Sequence, residues 1–509
     1  MPPAPKTSGI GAGAAGGVFQ RRPDPQTGTD SRVGWLALGL GGVSVCGLAL
    51  VGKAGLLNAV FPVLCLGCAA LLTRRPGSYV TFVLGVWIWA PAVRRVADWQ
   101  SAYNPLSPVL LAPILATLAC LAAPGQIVRG FRTMPALVIP IVALCVGVLT
   151  GFVNNSPASA LYAGVTWMTP IFFAAYIAGC RDVTGRLEAK FLSSVTLMAF
   201  WAAIYGIFQF ISPPIWDRFW MIGSQMLGIG LPAPFRVRVF GPLNSPVPFA
   251  AVMVAGLIAG FLDARKSRWL LLPCVFVALL LSLVRSEWLA VVVAFVAILV
   301  AAPARALQRS VRLGVMVLVL AVTTAPLLSY GPIATAVGLR LQSLHAGGQD
   351  ASLRDRLTLY RNFELGPVLL GEGLGSTDAA TRLSGGDARL DARRGNIDSA
   401  LLHLVTGLGV PFAILFGSGL VWLLAGAARG AARSNMATAG LALAVAGLSQ
   451  SPSYNVLISG PAVLMYAGFV VGARHREPLE HHLEDVRRGR REMAGMRRLL
   501  PRRGASEWS

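Results

Sequence analysis

Residues 269–300 read WLLLPCVFVALLLSLVRSEWLAVVVAFVAILV. Two apolar runs meet at Arg285 and Glu287, and runs of this length and composition are read as helices in lipid. The rest of the chain agrees. Of its 509 residues 55% are hydrophobic and 13% charged, with a mean hydropathy of +0.64, so a bilayer rather than water is the expected solvent. Spans of about 16–23 residues can be drawn at 33–52, 54–72, 78–93, 105–123, 135–152, 157–179, 190–212, 245–263, 268–285, 287–302, 312–329, 399–425, 436–451 and 455–473. The expected fold is therefore all-α, a polytopic membrane protein of about fourteen spans.

The net charge of +22 does not point to nucleic acid, because the basic residues sit in short connectors and the C-terminal tail. Connectors holding Arg74 and Arg75, Arg129 and Arg132, Arg181 with Arg186 and Lys190, Arg265 with Lys266 and Arg268, Arg305 with Arg309, and Arg429 with Arg433 all fall on one side. By the positive-inside rule that side is cytoplasmic, with both termini there. Residues 1–31 read as a disordered arm. The tail 474–509 is either a basic amphipathic helix on anionic lipid or a solvated charged segment. The seven cysteines lie in or at the ends of apolar segments, so no disulfide framework is expected, and Cys65 and Cys68 read as packing residues.

Two outer segments, about 213–244 and 330–397, are longer than simple connectors need. The second contains SLRDRLTLYRNFEL (352–365), where Leu353, Leu357, Tyr360 and Phe363 would form the apolar stripe of a helix. The outer side also carries Arg94, Arg95, Arg236, Arg238, Arg285, Arg340, Arg354, Arg356, Arg361, Arg382, Arg389, Arg393 and Arg394. Arginine is a permanently charged fork suited to phosphate, so this concentration suggests a phosphate-bearing substrate presented from the membrane. Pairing with nearby Asp and Glu is the competing reading, favoured for Arg382, Arg389, Arg393 and Arg394. Arg285 ends an apolar run, which makes it a candidate site residue, with Glu287 as its nearest candidate ion-pair partner. Arg238 precedes a span opening with proline and small polar residues, where backbone N–H groups are expected to be free to meet an anion.

RVFGPLNSPVPFA (238–250), SLVRSEWLA (282–290), RLTLYRNFELGPVLLGEGLG (356–375) and NIDSALLHLVTGLG (396–409) occur in this order, with a large outer loop between the second and the last. This series resembles the O-antigen ligase and polymerase superfamily, and is closest in style to exopolysaccharide and capsule polymerases. PAVRRVADW (91–99) is similar in style. The resemblance implies a GT-C-type membrane glycosyltransferase domain over 32–473, in a bacterial cytoplasmic membrane, with short helices in its extracytoplasmic loop. It would act on undecaprenyl-pyrophosphate-linked oligosaccharide as donor and a glycan as acceptor, without metal or other cofactor. Arg238, Arg285 and Arg356 match the family's arginines and would bind the pyrophosphate, with Arg236, Arg354 and Arg361 in support.

Aligning the GLG of the last motif places Asp398 where ligases have histidine and Ser399 where an asparagine is usual. That favours a polymerase over a ligase, with Asp398 taking the acceptor proton during inverting transfer; the competing role for Asp398 is N-cap of the next span. His403 reads as a packed core histidine with a supporting role as runner-up, while His345 and Glu287 are alternative bases. A lipid-linked oligosaccharide flippase would use the same arginines. A chain-length regulator is left open as a partner.

Overall fold

The computed structural model describes residues 31–180, 186–263, 265–301, 305–329, 331, 333–335, 338, 354, 358, 360–361, 369–383, 399–458 and 460–473. The N-terminal arm, the basic tail and most of the second outer segment therefore lie outside the described residues, including Leu353, Leu357 and Phe363 of the expected loop helix. Helix accounts for 82% of the structure and no strand is present among the described residues. A helix satisfies its own backbone groups, which lipid cannot do.

The helices are α1 (Arg32–Leu50), α2 (Leu57–Leu72), α3 (Pro76–Gln100), α4 (Ala112–Leu118), α5 (Pro124–Thr133), α6 (Val138–Asn154), α7 (Pro157–Gly179) and α8 (Arg186–Ile211). They continue with α9 (Ile215–Ser224), α10 (Pro246–Leu262), α11 (Leu272–Leu281), α12 (Arg285–Val300), α13 (Ala306–Leu328), α14 (Ala400–Ala431), α15 (Asn435–Ser449) and α16 (Gly460–Ala473). Helix occupies every expected span, but not every one of these helices is long enough to cross a membrane alone. Among the described residues eight helices are long and apolar enough to cross a membrane, or nine if the pair Pro108–Ala122 and Pro124–Thr133, bent by 88°, is one span. The others are short: α10, α15, α16 and the segment Ser267–Leu281 are apolar but shorter than a full crossing, and α12 has 16 residues. The chain is a multi-pass, all-helical membrane protein.

The ends that the sequence assigns to the basic side do meet. Arg309 Nη1 donates to the Ile298 carbonyl at 2.7 Å and its Nη2 to Thr438 Oγ1 at 2.9 Å. Arg129 donates to the Gly179 carbonyl at 3.1 Å, Tyr176 to that of Thr73 at 2.8 Å, and Arg268 to Ser193 Oγ at 2.7 Å. Arg309 and Arg129 thus cap the C-termini of α12 and α7, where a cation is favoured. All seven cysteines are free thiols, with Cys65 buried in α2.

Candidate functional site

At the opposite end of the bundle, the loop between α9 and α10 is built around one buried cation. Arg95 of α3 is wholly buried, and its Nε stands 2.7 Å from Asp217 Oδ1 of α9. Its Nη2 donates to the Gly241 carbonyl at 2.7 Å and its Nη1 to that of Leu243. The guanidinium also lies 5.0 Å from the ring centre of Phe240 and 5.9 Å from that of Trp220. Gln209 of α8 donates to Asp217 Oδ2 at 2.5 Å and accepts from the N–H groups of Phe240 and Gly241 at 3.1 and 2.9 Å. Burial pushes the Asp217 carboxyl up, against the pull of the Arg95 charge and the bonds from Gln209 and Tyr205.

Gly241 closes the turn with φ +54, and a Cβ there would stand 2.3 Å from the Phe249 ring, so the FGP of the first motif needs glycine. Arg94 is also internal, 3.1 Å from Asp98 Oδ2 and donating to the Asn104 carbonyl at 2.6 Å. The expectation that Arg94 and Arg95 face an outer ligand is thus corrected. Each has an acidic partner within the fold, Asp98 one helical turn on and Asp217 in a different helix.

The two other arginines of this loop diverge. Arg236 is exposed, whereas Arg238 is half-buried. Val237 between them is buried with Trp220 and Phe240, and in extended backbone its neighbours face away from it. Arg238 Nε donates to the Ser282 carbonyl at 2.8 Å, Nη1 to that of Gly228 at 3.2 Å and Nη2 to that of Leu283 at 3.2 Å. It braces the break between α11 and α12, where Leu283 has φ +55. Arg285 follows at the first position of α12, half-buried. Arg238 and Arg285 are therefore brought to one break in the helical bundle.

Two expectations about this region fail. No ion pair joins Arg285 to Glu287 among the described residues: Glu287 is buried and its Oε1 meets no hydrogen-bond donor. Positions two apart on a helix do not face each other. The start of α10 is also a poor source of N–H groups, because Pro246 and Pro248 occupy two of its first three positions and proline has none.

A polar turn after α15 ties this break to the last motif. Gln450 Nε2 donates to the Ser286 carbonyl at 2.9 Å, and the Ser451 carbonyl accepts from the Ala400 N–H at 2.9 Å. Ser399 is the N-cap of α14, its hydroxyl accepting from the Leu402 N–H at 3.4 Å. The capping role considered for Asp398 thus belongs to its neighbour. Tyr360, from the outer loop, shares a 2.6 Å hydrogen bond with Ser399 Oγ and donates to the Pro452 carbonyl at 2.9 Å. Arg354 and Arg361 are exposed on the same loop. Asp398, Arg356 and His345 lie outside the described residues.

The GEGLG of the third motif packs into the bundle instead of crossing its surface. The Glu372 N–H donates to the Thr406 carbonyl of α14 and that of Leu374 to the Gly147 carbonyl of α6, each at 2.8 Å. Gly373 has φ +87, and a Cβ would lie 2.3 Å from the Gly151 nitrogen. Gly409, with φ +75 and ψ 163, breaks α14 where Leu369 accepts the Val410 N–H at 3.1 Å. His403 is buried, with Nδ1 2.9 Å from Thr377 Oγ1 at the end of this loop, the geometry of a packed, hydrogen-bonded histidine.

Sequence reasoning missed Asp217, Gln209, Gln450 and Ser451. The polar run SQSPSYN (449–455) between two apolar helices was a usable signal; single polar residues in α8 and α9 were not. No family model matches the chain, and no curated protein matches it. Fold and site together define a multi-pass helical membrane protein with basic and hydroxyl side chains gathered at one end.

Proposed function

We propose that the protein is a membrane glycosyltransferase of the polymerase kind, moving glycan chains between undecaprenyl-pyrophosphate-linked repeat units on the face opposite the basic connectors. One observation carries the reading. Arg238 holds the Ser282 carbonyl at the break that Arg285 follows, Gln450 holds that of Ser286, the Ser451 carbonyl next to Gln450 accepts from Ala400, and Tyr360 of the arginine-rich loop bonds Ser399 beside Asp398. All four motifs of the sequence thus supply one location. Arg285, exposed Arg236 and Arg356 bind the donor diphosphate and stabilise it as it leaves, while Arg238, with three of its donors on backbone carbonyls, holds the break in shape. The acceptor hydroxyl attacks the anomeric carbon, its proton passes to Asp398, and the carbon–oxygen bond to the diphosphate breaks with inversion. A ligase would use the same donor chemistry with a different acceptor.

The test is to incubate purified protein in detergent with a defined undecaprenyl-pyrophosphate oligosaccharide and resolve the products by size. A ladder at repeat-unit spacing is expected. Transfer once to an unrelated acceptor would make it a ligase. No new glycosidic bond, with movement of the lipid across liposomes, would overturn the reading in favour of transport.

A further inference from the structure

Behind Arg285 a cavity of about 30 Å³ lies between α10, α12, α15 and α16, lined by Glu287, Gln450, Tyr454, Ala446, Gly447 and Val254 among others. Such a space admits roughly two water-sized guests. Glu287 Oε1 and Gln450 Oε1 are buried and meet no hydrogen-bond donor. Because Gln450 Nε2 is spent on the Ser286 carbonyl, its Oε1 can only accept. Two acceptor oxygens therefore line one cavity, and no described residue gives either a donor.

Charge is unbalanced there as well. The described residues lining the cavity include no Lys, Arg or His, and α10, α15 and α16 contain no ionisable residue but Tyr466. An ionised carboxylate held this way needs a positive partner, and none of the described residues supplies one. The surroundings suit that pair. Glu287 is in the first turn of α12, where the helix dipole favours an anion, while Ala446 and Gly447 belong to the last turn of α15, where it favours a cation. A single carboxylate is too little for calcium, which takes six to eight oxygen ligands with several carboxylates, and points to a monovalent ion.

We propose that this cavity binds one monovalent cation of about sodium size, coordinated by Glu287 Oε1 and Gln450 Oε1 and completed by water. Bound there, it neutralises the carboxylate two residues from Arg285 and clamps the start of α12 to the turn after α15. The site is independent of glycosyl transfer. The experiment is thermal unfolding of the full-length protein in detergent at constant pH and ionic strength, with sodium, potassium, lithium or choline as the sole cation. Direct ²²Na⁺ binding accompanies it. A sodium-dependent rise of at least about 2 °C over choline is expected, with saturable ²²Na⁺ binding weakened about tenfold or more in Glu287→Gln and in Gln450→Ala. Equal melting in every salt, no saturable ²²Na⁺ binding to the unaltered protein, or binding unchanged in both variants would each overturn it. A proton resting on Glu287 gives the first of these results. If Glu287→Gln does not fold, the unaltered protein and Gln450→Ala still decide the matter.

Discussion

Arg95 and Glu287 are both ionisable side chains buried where the helices meet the outer loops, and the chain treats them in opposite ways. Arg95 has a carboxylate at 2.7 Å and two backbone carbonyls as acceptors. Glu287 faces a cavity and an amide oxygen that also meets no donor among the described residues. Burying a charge costs several kcal/mol before any partner is counted. The first site meets that cost with its own residues and so holds a loop in shape; the second leaves it to a guest. A buried charge therefore says little about role until its partners are known.

The sharpest test of the contrast is removal of one member of the paired site. Asp217→Ala leaves the Arg95 charge buried and is expected to destabilise by roughly 3–5 kcal/mol, seen as a large loss of folded protein on size-exclusion chromatography. Replacing both residues by apolar ones of similar size should recover most of that loss, and a double variant as poor as the single one would mean that the ion pair is not the source of the cost.

A smaller loss, in activity rather than folding, is expected at the helix break. Arg285→Gln should lower transfer from the lipid-linked donor by about 100-fold while leaving the melting temperature almost unchanged, because the side chain is only half-buried. Equal damage to stability and to rate would place Arg285 with Arg95 as a structural cation. The gentlest test is Tyr360→Phe, which removes the hydroxyl bonded to Ser399 and Pro452. A cost of about 1 kcal/mol should appear as faster proteolysis of the outer loop, with the bundle intact.

Apolar runs bounded by arginine connectors were legible because lipid allows few alternatives to a helix, and each expected span is helical. Their lengths were less legible. Pro108, Pro113 and Pro124 punctuate one span, and α10, α15 and α16 are apolar but shorter than a full crossing. At the site, Arg238 bonds the carbonyls of the break that Arg285 follows. The ion pair expected between Arg285 and Glu287 was wrong, since adjacency in sequence is not adjacency on a helix face.

What the sequence by itself determined is the solvent, the class of secondary structure and which connectors share a side, because each follows from local composition and from the cost of exposing peptide groups to hydrocarbon. What only the tertiary structure decided is partnership. Asp217 reaches Arg95, Gln450 reaches Ser286 and Gly373 enters beside Gly151 from distant parts of the chain. Whether a buried charge is satisfied depends on groups within about 4 Å, a distance that sequence separation does not measure.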